Sequence, residues 1–562
     1  MSTSTLDKYL ASCEPNYSEQ HHMLGGPLHS PGYHTTLPDG IWAHDTRGAL
    51  DYALALFASH DPAYVRRGQD VVDAILDQQD TDPTSRTYGI WSWYLEEPLD
   101  KMSPPDWNWA DFCGARLADI LMAYSPLLPD GQIQRIRTAL GHAGWSIFRR
   151  NVNCDYTNIA IMGAAVTLAA GEILGESRLL DYGRLRLQRQ LEHVRYHGGF
   201  TEYNSPTYSV VAVEELERIH RLVKDPEARA TAKLLHEQAW KVIAEHFHPG
   251  TNQWAGPCSR AYSDWLSPQT LAFLSARVGA QLPSRDRDAQ AEILSAASAG
   301  DIVMCPEDLR PLFSSWTGPD RVVRSRFVRR EPDGNSTYGT TWMSADACLG
   351  SVTADILWTQ RRALLGYWRT GEDPAVCLRM RFLHDGKDFS SAFVRNAQDG
   401  PRVLSLTGFI LGNGDFHPSL DRPKDDTFRA SDFRLRYELL GKGAKVRQIE
   451  DRRFEMAAGG IRAVVHGGDG WFNGKPVQWE TSATDDGVRV DAICYAGPES
   501  SFRFASLERS VVASAVEILK SGEVPTAERP SLTTENAHAT TTWDAATSLT
   551  ITGPATPNGG KG

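Results

Sequence analysis

The apolar residues of this chain change their spacing once, near residue 300, and that switch limits the fold more than any other feature. Before it they recur three and four positions apart, the period of a helix with one buried face, over 46–59, 64–79, 108–124, 131–150, 156–174, 178–195, 208–223, 227–247 and 287–299. Breaks such as HDPAY, SPLLPDG, KDPEA and HPGTN separate these stretches, and each can stop one helix and start the next. Helices joined by short loops form antiparallel hairpins, which stack as a bundle, a solenoid or a closed toroid. No fixed-length motif recurs, which argues against a TPR-like or ankyrin-like array. Beyond residue 300, β-branched and aromatic runs such as RVVRSRFVRR, RVLSLTGFIL, IRAVVHGG and VVASAVEIL alternate with the turn signals PDGN, GNGD and TDDG. That texture predicts an antiparallel β-sandwich rather than a parallel sheet with crossover helices. The expected fold class is therefore α+β and multidomain: a helical domain over 1–300, a sandwich over 301–552, and a tail, GPATPNGGKG, over 553–562 that is too polar and Gly/Pro-rich to pack.

Composition narrows the function classes. A chain of 562 residues with 41% hydrophobic and 23% charged residues buries sizeable cores and is not a disordered polymer. Lys and Arg number 58 against 70 Asp and Glu, a net charge of −12, which disfavours nucleic acid or an anionic membrane as partner. An anionic sugar stays admissible, because a few buried arginines make a local positive pocket. The start MSTSTLDKYLASCEPNY lacks a basic region followed by an apolar run, no apolar stretch reads as long enough to span a bilayer, and the eight cysteines are scattered. A cytoplasmic location with reduced thiols is the expectation. Seventeen histidines show no HExxH or paired metal spacing, and His21, His22, His29, His34 and His44 read as loop residues, so no metal and no cofactor are expected.

Four clusters carry chemistry. YGIWSWYLEEP and PPDWNWADF bring Trp91, Trp93, Trp107 and Trp109 within nineteen positions, aromatic faces that stack on sugar rings beside Asp106, Asn108 and Asp111; a Trp-rich core corner has the same appearance. NVNCDYTNIAIMGAA sets Asn151, Asn153, Asp155 and Asn158 at the head of a small-residue helix, more polar side chains than one cap uses. GGFTEYNSPTY gathers Glu202, Tyr203, Asn204 and Tyr208 at a helix start, where the helix dipole favours anions. WAGPCSRAYSDW places Arg260 and Tyr262 in a Gly-Pro loop, with a guanidinium suited to a bidentate pair with a uronate or a sulfate, or to an ordinary salt bridge.

GGFTEYNSPTY resembles the segment of heparinase II/III-type polysaccharide lyases in which a Gly-rich turn, an acidic residue and an SPxY-like step deliver the catalytic tyrosine. In that family an asparagine about fifty residues earlier, at the head of a small-residue helix, neutralises the substrate carboxylate. Fifty residues separate Asn158 from Tyr208, and the helix after Asn158 runs to Ala169, Ala170 and Gly171. The resemblance implies an incomplete α/α toroid followed by an antiparallel β-sandwich. It departs at Ser209, where His often follows the tyrosine, and at Gly198, where Asp is usual. Such lyases often take a His or Tyr from the sandwich, which makes Tyr338 and His384 candidates here.

The chemistry implied is β-elimination of a uronate glycoside, probed by its own electrostatics. Removing the C5 proton beside an ionised carboxylate requires donors that screen the negative charge, the role expected of Asn158 and Arg260. Tyr208 would protonate the leaving oxygen at C4, and it or Tyr203, Tyr338 or His384 would take the C5 proton. Trp91, Trp93, Trp107, Trp109, Asn153, Glu202, Asn204 and Tyr262 are the expected substrate contacts. The partner is an acidic oligo- or polysaccharide, attacked in exo fashion, and a homo-oligomer is compatible with the sequence. Two alternatives use the same residues differently, an inverting hydrolase with a carboxylate pair from Asp106, Asp111, Asp155 and Glu202 and a uronate epimerase, and a non-catalytic carbohydrate-binding or scaffold protein would account for the tryptophans and the sandwich alone.

Overall fold

The computed structural model describes residues 5–29, 34–285, 302–316 and 318–560. Ten α-helices lie among them: α1 (Thr5–Cys13), α2 (Thr46–Ala58), α3 (Pro62–Leu76), α4 (Trp109–Tyr124), α5 (Asp130–Arg150), α6 (Thr157–Leu174), α7 (Ser177–His197), α8 (Tyr208–Leu222), α9 (Pro226–His246) and α10 (Pro268–Val278). Eight of them fall on the expected periodic stretches. The short α1 and α10 carry too few turns to show a period, and the expected helix over 287–299 lies outside the described residues.

The helices form an arc of hairpins. Each of α2, α4, α6 and α8 packs on the helix that follows it, and the four also contact one another in series. The outer partners α3, α5, α7 and α9 do the same behind them. Because every hairpin runs out and back, the four inner helices point the same way and begin on one rim. The arc is built around α6, apolar on every side and buried from Thr157 to Gly171. Its small residues let neighbours approach: a Cβ on Gly171 would meet the Leu180 amide of α7 at 2.6 Å. By length and mean hydropathy of 1.5, α6 also passes as a membrane span, contrary to the sequence expectation, yet 83% of it is buried in the protein.

From Arg321 onward the strands are all antiparallel. One sheet of nine strands runs, edge to edge, through Gln478–Thr484, Gly487–Arg503, Thr427–Leu440, Val376–His384, Leu364–Trp368, Ala347–Val352, Thr337–Met343 and Arg321–Val328, with Lys387–Asp388 attached. A second, of eight strands, is centred on Ile461–Phe472, Val511–Lys520 and Arg402–Phe409. Leu378, Phe433 and Leu435 of the first sheet and Val403, Val465 and Val516 of the second share one apolar core, so the two pack face to face. The fold is thus α+β, helical first and antiparallel β after it.

The tail corrects the sequence reading. Ser531–Glu535, His538–Asp544 and Ser548–Pro554 form a third sheet whose Trp543 and Ile551 cover Leu404, Leu406 and Ala513 on the back of the second. Ala555 is fully buried, and its carbonyl accepts the Ser510 amide at 2.8 Å. Gly and Pro here make a tight edge rather than a loose end.

The two halves meet along an extended loop, 255–261. Cys258 and Arg362 exchange backbone bonds of 3.1 and 2.9 Å, and the Ala261 amide donates to the Gln360 carbonyl at 2.8 Å. Gly350, on the strand Ala347–Val352, lets this loop lie flat on the sheet: a Cβ there would fall 1.7 Å from the Gly256 carbonyl oxygen. Gly350→Ala is therefore expected to lower stability by at least about 2 kcal/mol, because backbone cannot yield as a side chain does; the urea midpoint reads the change.

Candidate functional site

The rim where the inner helices begin faces the β half. Trp93 stacks on Trp109, the first residue of α4, at 5.1 Å, and Trp109 Nε1 donates to Thr46 Oγ1 at the start of α2. Asn108, just before α4, donates from Nδ2 to Tyr156 Oη at 3.0 Å, just before α6. The Asn158 amide on α6 donates to Glu202 Oε2 at 3.1 Å. Tyr208 opens α8. Four helix N-termini thus converge on one edge, a positive field suited to an anion.

Arg260 ties this edge together. Its Nη1 donates to Glu202 Oε1 at 2.9 Å, its Nε to Gln360 Oε1 at 2.8 Å and its Nη2 to Tyr262 Oη at 3.3 Å. The guanidinium lies over the Tyr208 ring at 4.1 Å and near Tyr156 and Trp358 at 6.0 and 5.6 Å. The Tyr208 and Tyr262 hydroxyls are 2.5 Å apart. Burial pushes the Tyr208 phenol well above its ordinary pKa, against the pull of Arg260, so it rests protonated. Tyr262 is 59% exposed and lines a cleft of about 1010 Å³ with Gln360, His384, Phe416 and His417.

Asn158 is 1% exposed, and neither its Nδ2 nor its Oδ1 has a hydrogen-bond partner. A buried amide without partners costs on the order of 1–3 kcal/mol, a cost tolerated where a ligand supplies the bonds. Asn158→Leu is accordingly expected to leave the melting temperature unchanged or raise it, while activity falls by roughly a hundredfold or more, as for loss of one oxyanion donor. Thermal melts and turnover on one preparation separate the two effects.

Several sequence candidates are corrected. Tyr203 is 3% exposed, its hydroxyl donates to Asp355 and its ring stacks on Phe327 at 4.3 Å, so it joins the two halves. Asn204, in the left-handed region at φ 43°, uses its whole amide inside: Nδ2 donates to the Ala255 and Pro257 carbonyls at 2.8 Å, and Oδ1 accepts from Trp254. Trp91 is fully buried with Nε1 on the Ile75 carbonyl, and Trp109 is buried too; Trp93 and Trp107 are half-buried and keep exposed faces. Asn153 is exposed on the turn before α6, and its carbonyl accepts the Tyr156 amide. Tyr338 lies beneath Arg324 at 5.2 Å on the strand next to the sheet edge, not on the 358–362 segment that reaches Arg260.

His384 does line the cleft, but Asp415 Oδ1 holds its Nδ1 at 2.8 Å and the Arg429 carbonyl its Nε2 at 2.9 Å, which leaves no nitrogen for a proton from substrate. Burial opposes charge on His384, yet the Asp415 carboxylate outweighs it and lifts the pKa above the ordinary 6.5. The charged form therefore steadies the 411–426 loop below about pH 6.5, and that contribution is lost as pH rises through the elevated pKa. The protection of this loop's amides, exchange relative to the intrinsic base-catalysed rate, is expected to fall from pH 6 to pH 9, and His384→Gln to remove that fall.

The sequence reading missed Tyr156, Trp358, Gln360 and His417. Tyr156 was visible inside NVNCDYTN beside Asn158. His417 sits edge-on to Trp358 at 5.3 Å, its Nδ1 accepts the Ser419 and Leu420 amides, and burial lowers its pKa, with Arg260 and His34 adding to the effect. Its place is fixed by Asp421, whose carboxylate accepts the Asp415, Phe416 and His417 amides.

Two of the carboxylates proposed for hydrolysis are engaged, Asp106 by Trp93 Nε1 and the Asn108 amide and Glu202 by Arg260, while Asp155 is exposed, 3.4 Å from His193. Asp111 is 2% exposed, and burial lifts it to about 7 despite Arg150. Among the described residues one group could offer metal ligands, Asp155, His193 and His197. The His197 Nδ1 accepts the Arg329 amide at 3.0 Å, so the neutral ring carries its proton on Nε2 and would have to rearrange to ligate.

Among solved structures the chain is similar to heparinase III at 10% identity, over 91% of this chain and 82% of that one, with a TM-score of 0.43. A second heparinase III, with methylated lysines, matches at 10% identity over 89% and 82%, with a TM-score of 0.35. A GH127 β-L-arabinofuranosidase from Geobacillus stearothermophilus T6 matches at 10% identity over 85% and 89%, with a TM-score of 0.19. No curated protein matches the sequence at a significant level. Residues 30–307, the helical half, match the model of a family described as a domain of unknown function (DUF8769).

Proposed function

We propose that this protein is a lyase that cleaves a uronate-containing glycan by β-elimination. The observation that carries the reading is the contiguous arrangement of Asn158, Glu202, Arg260, Tyr208 and Tyr262 at the helix rim, with the Asn158 backbone amide on Glu202 and its side-chain amide buried and unpartnered. The resemblance of the Gly198–Tyr208 segment to heparinase II/III-type lyases supports it.

The substrate carboxylate sits toward Asn158 and Arg260, which screen the charge that grows when C5 loses its proton. The two phenols share the proton traffic. Across their 2.5 Å hydrogen bond Tyr262 takes the C5 proton as its own passes to Tyr208; the electron pair forms the C4–C5 double bond, the C4–O bond breaks, and Tyr208 gives its original proton to the departing oxygen. Arg260 lies over the Tyr208 ring and donates to the Tyr262 hydroxyl, so it stabilises the negative charge that develops on the phenols during the transfer. No residue here needs a metal to complete the step.

An epimerase would share the first transfer and a hydrolase would use paired carboxylates; the engagement of Asp106 and Glu202 by protein partners weighs against the latter. Mixing the protein with uronic-acid oligosaccharides and following far-ultraviolet absorbance tests the proposal, since elimination alone creates a conjugated double bond. Growth of the band is expected; new reducing ends without it would overturn the reading.

A further inference from the structure

We infer that Tyr156 is a further donor to the substrate carboxylate, beside Asn158 and Arg260. The inference rests on the lyase reading and adds a residue to that site. It starts from the direction of one proton. Arg150 can only donate, and its Nη1 gives a hydrogen bond of 2.6 Å to Asn108 Oδ1. The Asn108 amide is thereby fixed one way round, with Nδ2 donating to Tyr156 Oη at 3.0 Å. In that bond the phenol oxygen is the acceptor, so its own proton is left to point elsewhere. Among the described residues no group accepts it. Burial raises the phenol above its ordinary pKa against the pull of Arg260, so the proton is kept at neutral pH.

The place of Tyr156 in the chain gives a second, independent argument. It holds the N-cap position of α6, two residues before Asn158, and its side chain makes no cap bond. Ser, Thr, Asp or Asn would serve the helix better there. Glu202 does part of the capping instead, from another segment, by accepting the Asn158 backbone amide. A phenol kept where its helix gains nothing from it breaks a local rule, as residues of functional sites do. The Arg260 guanidinium lies 6.0 Å from the Tyr156 ring and 4.1 Å from that of Tyr208, so the three groups share one corner of the rim. Arg260 spends Nη1 on Glu202, Nε on Gln360 and Nη2 on Tyr262, which leaves a carboxylate in need of other donors. A hydroxyl already held in place by Asn108 meets that need without reorganising as charge gathers beside C5.

The test compares a uronic-acid oligosaccharide with its carboxyl-reduced counterpart, in which a primary alcohol replaces the carboxylate. Binding is measured by calorimetry on Tyr208→Phe, with and without added Tyr156→Phe. The added change should raise the dissociation constant of the uronate about tenfold or more and that of the reduced sugar less than about twofold, the asymmetry of a hydrogen bond to a charge. In the otherwise wild-type chain Tyr156→Phe should lower kcat about tenfold or more, read by ultraviolet absorbance. Equal weakening of both sugars, the mark of a distorted rim, overturns the inference. Tyr156→Leu, read in the same way, serves if Tyr156→Phe does not fold. If the band grows in the wild-type chain and Tyr156→Phe changes neither uronate affinity nor kcat, elimination stands and the role of Tyr156 falls. Selective loss of uronate affinity with no band in the wild-type chain supports the role and overturns elimination. Failure of every uronate to bind overturns both.

Discussion

Tyr208→Phe is expected to abolish turnover, by a factor of about a thousand or more, while the substrate dissociation constant moves by less than about threefold. The asymmetry follows from what the hydroxyl touches. Its hydrogen bond is to the Tyr262 hydroxyl at 2.5 Å, whereas the ring is held by the Arg260 guanidinium at 4.1 Å and by the start of α8. Phenylalanine keeps the ring and the guanidinium contact and loses only the proton. General acid catalysis is worth roughly a hundred- to ten-thousandfold, and a C4 leaving oxygen without a proton donor is a poor leaving group. The folding cost should stay within about 1 kcal/mol, the value of one neutral hydrogen bond. Stopped-flow absorbance with calorimetric binding on the same preparation reads both quantities, and an active variant would remove Tyr208 from the mechanism.

Arg260→Met is expected to cost both stability and activity, and the two losses can be separated. The guanidinium is the charged partner of Glu202, whose side chain is 9% exposed, and it also holds Gln360 and Tyr262. Removing one member of a buried ion pair leaves an uncompensated charge and costs roughly 3–5 kcal/mol. Burial already pushes the Glu202 pKa up, with Arg260 opposing it, so the variant should take a proton there at neutral pH. Adding Glu202→Gln removes the stranded charge and should return most of the lost stability. It should return none of the turnover, because the cation that screens the carboxylate and the charge on the phenols is still missing. Chemical denaturation of the two variants and their kcat values give the comparison; recovery of activity in the double variant would make Arg260 merely structural.

Much of the fold was legible because it is written in local periods. Eight helices followed from apolar spacing alone, and the strands from β-branched runs between turns. The site was legible only where its residues are close in sequence. Asn158, Glu202 and Tyr208 stood out as polar clusters at helix starts, and Arg260 as an arginine in a Gly-Pro loop. Tyr203 and Asn204 share the same motif, yet one faces the β half and the other staples the 255–261 loop. Adjacent residues at a helix entry point in different directions, and which of them faces the cleft depends on chain far away. Gln360 and His417 were invisible for the same reason: their relation to Arg260 is made across a hundred residues or more by the docking of two domains.

That docking carries a consequence for the time at which activity appears during synthesis. Gln360 positions Arg260, Asp355 holds Tyr203, and Arg362 exchanges backbone bonds with Cys258, so three fastenings of the site come from sequence made later. The sheet that carries them is backed by Val511–Lys520, laid down later still. A nascent helical half leaving the ribosome would hold Asn158, Tyr208 and Arg260 and still be inert. The seam between the halves acts as a completion check, and truncated chains should fold their helices yet show no turnover.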